Sequence, residues 1–134
     1  MSKELPNWAV EKILEQEFLR SQLTLTLPDY SAAVKRLSAV ASGDTGAASA
    51  CAQVLLSCYN DRNWQLNVMD LGSLDYRLTH DALLVMRGWL LLHEYPHNVI
   101  EDGEEIFAAL EDQWQHLHVE NRYSKFYESK QGET

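Results

Sequence analysis

Only one stretch of this chain, Leu23-Thr24-Leu25-Thr26-Leu27, alternates apolar and polar residues as a half-buried strand does. No second stretch alternates clearly, and Pro28 closes the segment. A lone strand has no ladder to satisfy its backbone groups. The stretch therefore reads as an extended connector, and the core must be built from helices.

Helical spacing runs through the rest. After Leu5-Pro6, a favourable helix start, Val10, Ile13, Leu14 and Phe18, with Leu23 as an extension, follow three- and four-residue spacing, and Glu11, Glu15 and Glu17 face elsewhere. Asp29 or Ser31 is positioned to cap a second helix, with Val34, Leu37, Val40 and Ala41 inward and Gly43 as a left-handed stop. A third helix starts near Asp44-Thr45 and runs to Tyr59. Its Ala47, Cys51, Val54, Leu55 and Cys58 stripe is small enough for close helix packing, which makes it central. The fourth helix, ending at His93, carries Leu83, Leu84, Val85, Met86 and Trp89 to Leu92, apolar on nearly every side, and so is expected to be buried all round. A fifth helix starts at Asp102-Gly103, with Ile106, Phe107, Leu110, Trp114 and Leu117 inward. Together these predict one compact all-α domain over residues 1–134. It has about five helices, a buried fourth helix, and a frayed polar tail over 128–134.

Composition narrows the function classes. With 134 residues and 46% hydrophobic content the chain can bury a core without metal or disulfide. Eleven Lys and Arg against 20 Asp and Glu give a formal charge of −9, which argues against direct nucleic-acid binding. No apolar run approaches the roughly 18 residues of a membrane span, and Met1 to Pro6 lacks the apolar core of a signal peptide. The expectation is a cytoplasmic protein without membrane contact. Cys51 and Cys58, seven residues apart on one helix, lie about 10 Å apart, too far for a disulfide.

The sharpest literal motif is His93-Glu94-Tyr95-Pro96-His97, the zinc-protease pattern. That chemistry needs both histidines one turn apart on an unbroken helix, and Pro96 breaks it. The segment reads as a helix end with a Tyr-Pro turn; no metal, cofactor or catalytic residue is assigned. Gly43-Asp44-Thr45-Gly46 lacks the strand and Lys of a phosphate loop and reads as a helix stop followed by a cap. Charge placement is more informative. Residues 101–120 hold seven acids and no Lys or Arg. Glu101, Glu104, Glu105, Glu111 and Asp112 fall on the side of the last helix opposite its apolar stripe. They are the candidate contacts for a protein partner with a basic surface, with Trp64, after a polar loop, as an exposed anchor.

Several segments together resemble a known family: Leu37 to Gly46 with its Gly-Asp-Thr-Gly turn, Val54 to Leu56, Tyr59-Asn60, Asp70-Leu71, Leu74-Asp75, Met86-Arg87 and Tyr95-Pro96. The chain is similar over about residues 37–117 to an uncharacterised group of small proteins encoded on bacterial plasmids, integrative elements and prophages. It departs from that pattern in having Cys58-Tyr59 after the third helix and Asn63-Trp64-Gln65 in place of a Gly-Gly-Phe run. The resemblance implies a helical fold in a mobile-element setting, leaves residues 1–36 outside, and brings no activity or cofactor. The function expected is therefore a non-enzymatic, acidic, macromolecule-binding protein. A specific version is an inhibitor masking a basic nucleic-acid-binding surface of a host defence complex. The alternatives are a metal-dependent hydrolase through His93, Glu94 and His97, or a self-associating structural protein.

Overall fold

The computed structural model describes residues 4–124 together with 126 and 128. The elements are α1 (Asn7–Leu23), α2 (Leu27–Ala41), α3 (Gly46–Tyr59), α4 (Tyr76–Leu92), α5 (Gly103–Gln113) and the one-turn α6 (Val119–Arg122). Short 3-10 turns at Val68–Ser73, Pro96–Asn98 and Gln115–Leu117 join them. No strand occurs among the described residues, only one isolated antiparallel bridge between Trp64 and His118. The fold is all-α, as the periodicity predicts. The polar tail expected over 128–134 lies, except for Glu128, outside the described residues.

Local chemistry sets the helix ends. The Thr26 hydroxyl accepts from the Asp29 amide at 3.2 Å and caps α2, so the cap lies earlier than either Asp29 or Ser31. Pro28 then occupies the first turn of α2, where its missing N–H costs nothing. The Thr45 hydroxyl accepts from the Ala48 amide at 3.0 Å and caps α3. Gly43 is not left-handed; among the described residues positive φ falls on His93 (54°) and Asp102 (57°). Each of these redirects the chain next to the site described below.

α3 is the enclosed helix. Ala48 and every residue from Ala50 to Leu56 are buried, with α2, α4, α5 and the 3-10 turns at Val68–Ser73 and Pro96–Asn98 around them. Its alanines let neighbours approach, and the buried aliphatic residues of this core each contribute roughly 1.5–3 kcal/mol. Tyr30, Val34 and Leu37 of α2, Val85 of α4 and Phe107 of α5 complete the centre. Buried Gln53 holds the irregular 64–74 segment: its side chain donates to Asp70 at 2.9 Å and accepts from the Asn67 amide at 2.9 Å and Arg122 at 3.3 Å.

One expectation needs correcting. α4 is not covered all round; Asp81, Ala82, Val85 and Gly88 are buried, while Tyr76, Leu83, Leu90 and Leu91 are exposed. α2 and α3 cover only one side of it. The apolar spacing of α1 gives a helix that does not pack into the core, because α1 buries none of its residues.

Candidate binding cleft and acidic face

Three chain reversals build a cleft of about 970 Å³ at one end of the bundle. The first follows α3. Asn60 leaves helical geometry (φ −153°, ψ 86°) while its N–H still reaches the Leu56 carbonyl at 2.8 Å, and its own carbonyl accepts from Asn63 and Trp64. The second follows α4, where left-handed His93 ends the helix and Pro96 opens the next turn. The Tyr30 hydroxyl donates to the Glu94 carbonyl at 2.7 Å and pins that reversal to α2. The third is the start of α5. A Cβ on Gly103 would stand 1.7 Å from the His97 carbonyl, so only glycine lets α5 close on this turn.

Tyr59, Trp89, Tyr95 and His97 give the cleft its aromatic walls. Trp89 and Tyr95 stack with centroids 4.8 Å apart and planes 19° apart, and Tyr59 meets His97 edge to face at 4.9 Å. Asn60, Asn63 and Asn98 supply amides, Asp61 and Glu104 carboxylates, and Arg62 one cation. The His97 Nδ1 atom is buried and has no hydrogen-bond partner among the described residues. Burial pushes the Cys58 thiol up to about 11, so it is protonated at neutral pH and is no activated nucleophile.

The zinc-protease pattern loses its geometry here. His93 packs its ring against Trp89, whereas His97 packs against Tyr59, Tyr95 and Phe107. The two do not share a helix. Among the described residues no group of three or more His, Cys, Asp and Glu side chains is placed to hold a metal ion.

The acidic residues of α5 stand where the sequence puts them, with one refinement. Glu104, Glu105 and Asp112 are exposed, Glu111 is half-buried, and Phe107, Leu110 and Trp114 face the core. Glu104 and Glu111, two turns apart, flank the cleft wall. The Tyr59 hydroxyl is pushed above the ordinary tyrosine value by burial first, then by hydrogen bonding to Glu111 and by the charges of Glu111 and Glu104. Glu101 precedes the helix and lines a separate hollow with Lys35, so it does not join the other four.

Trp64 is a correction. It is 2% exposed, packs edge-on against His118 at 5.3 Å, and cannot be a surface anchor. The turn closed by the Asn60 carbonyl aims it inward, and the Val119 amide bonds the Asn63 carbonyl at 3.0 Å behind it. The sequence does not show the aromatic wall as a unit, because Tyr59 lies 30 to 38 residues from Trp89, Tyr95 and His97 and meets them only across the chain reversals. The readable signals were the Asn60–Asn63 polar loop and the Tyr95-Pro96 turn.

A model of a family of unknown function (DUF7673) matches residues 31–115, more than half of the chain, and the chain belongs to that family. The matched span contains most of α2, all of α3 to α5 and the whole cleft; α1 lies outside it. No curated protein and no solved structure matches the chain.

Proposed function

We propose that this protein, a member of a family without known activity, works by binding: α5 and the adjoining cleft dock a basic surface of another protein. The observation that carries the reading is the position of Glu104, which belongs both to the exposed acidic face and to the aromatic cleft. Carboxylates beside aromatic rings suit a Lys or Arg side chain. The rings attract the cation, Glu104 and Asp61 balance its charge, and the three asparagines can bond a guanidinium or partner backbone. The wider acidic face supplies steering and sign selectivity more than raw affinity. The protonated Cys58 thiol and the separated histidines support a binding protein over a hydrolase.

The narrower reading takes its setting from the family resemblance in the sequence. There the protein is a cytoplasmic factor of a mobile element that masks the nucleic-acid-binding surface of a host complex. Its net charge of −9 suits competition with a polyanion. The test is capture from a bacterial lysate at low and moderate salt by the wild type and by a Glu104→Lys/Glu105→Lys/Asp112→Lys variant. All three side chains are exposed, so the helical circular dichroism should not change. The expected result is a stoichiometric, salt-weakened partner that the variant loses. Equal capture by the variant, or no partner at either salt, contradicts the reading.

A further inference from the structure

We propose that α1 is a self-association helix, and that its occupant is the outer face of α4 in a second copy of this chain. α1 leaves the bundle through the three-residue connector 24–26, and none of its 17 residues is buried. Yet its large apolar side chains, among them Trp8, Ile13, Leu14, Phe18, Leu19 and Leu23, are 44–69% exposed. On an ideal helix they fall on more than one side, with Trp8 and Leu19 about 120–140° around the axis from Leu14. Large apolar side chains left this exposed together on one helix mark an interaction surface. With Val10, these side chains offer on the order of 800 Å² of surface, about what each partner contributes to a standard interface.

The seat is on the same molecule's surface. Tyr76, Leu83 and Leu90 stand seven residues apart along α4 and are 95%, 49% and 66% exposed, the spacing of a helix–helix seam. α4 is also 17 residues long, so the two helices match end to end. Charge fits as well. Arg87 borders the α4 stripe, while Glu11 and Glu15 of α1 project between Phe18 and Trp8. A two-fold dimer would place each α1 between the partner's α4 and the partner's α1, covering both of its sides. A lipid surface is the poorer fit. α1 carries three Glu against one Lys and one Arg, and membrane-surface helices need a basic face.

The experiment is light scattering on the eluting full chain at tens of micromolar, beside a Trp8→Glu/Phe18→Glu variant and a Leu83→Glu/Leu90→Glu variant. All four positions are exposed, so unchanged circular dichroism and melting will show that each variant folds. The wild type is expected at twice the chain mass, and both variants at the monomer mass, their dimer affinity weakened at least about 100-fold. A monomeric wild type overturns the proposal, as does a dimer that survives either pair of substitutions. The Glu104→Lys/Glu105→Lys/Asp112→Lys variant should remain dimeric; a monomer there would overturn the placement on α4.

Discussion

Gly88 lets α4 close on Tyr30 of α2. A Cβ there would lie 2.4–2.6 Å from the Tyr30 ring, which is fully buried and held at its far end by the Glu94 carbonyl. Gly88→Ala is expected to destabilise the fold by about 1–3 kcal/mol through overpacking, read by urea denaturation. Gly72 has open space around its Cα and no positive φ, so Gly72→Ala should be neutral or slightly stabilising. Residue-level reading of the sequence worked where chemistry is local, as at the Thr45 cap. It misplaced Trp64, whose direction depends on a turn closed by backbone hydrogen bonds. Gly43 looks like the left-handed stop in sequence, whereas left-handed backbone falls on the non-glycine residues His93 and Asp102, which local composition does not mark.

Between elements, the strongest polar tie joins α2 to α4. Arg36 Nε and Nη2 donate to the two carboxylate oxygens of Asp81, each at 2.8 Å, and Asp81 is 1% exposed. Hydrogen bonding to Asp81 is the main reason the guanidinium pKa is raised. Removing the cation leaves a buried carboxylate with weakened compensation. Arg36→Ala should cost about 2–3 kcal/mol, at the low end because the Arg36 side chain is 38% exposed. The double variant Arg36→Ala/Asp81→Ala should lose less than the two single losses summed, measured by a denaturation cycle. Helix existence was legible in the apolar periodicity. Which faces are covered was not. α1 and α4 both carry apolar residues beyond one stripe, and periodicity alone does not say whether those residues meet this chain or a second one.

At the scale of the whole molecule, two features follow from burial and charge. Desolvation raises the Cys51 and Cys58 thiols to about 11 from 9.0, and it also raises the Tyr30 hydroxyl above its ordinary value. Stability from keeping these groups neutral is complete below about pH 9 and is lost as pH climbs through 11. The loss is on the order of 2–3 kcal/mol per thiol once fully titrated. Melting temperature should therefore fall steeply across that window, and the slope should be shallower in Cys58→Ala. The second feature is the cleft, which unites the ends of α3 and α4 with the start of α5. The acidic half of that site was visible as seven acids without a Lys or Arg over residues 101–120. The aromatic half was hidden because it exists only once the three reversals meet.

The most direct test of the binding account is a nitrogen–proton correlation spectrum titrated with a short Arg- and Lys-rich peptide at low and physiological salt. Salt-weakened shifts confined to residues 57–63, Trp89, 95–98 and 104–112 are expected. Shifts scattered over all acidic residues, or a spectrum unmoved by the peptide, would contradict it.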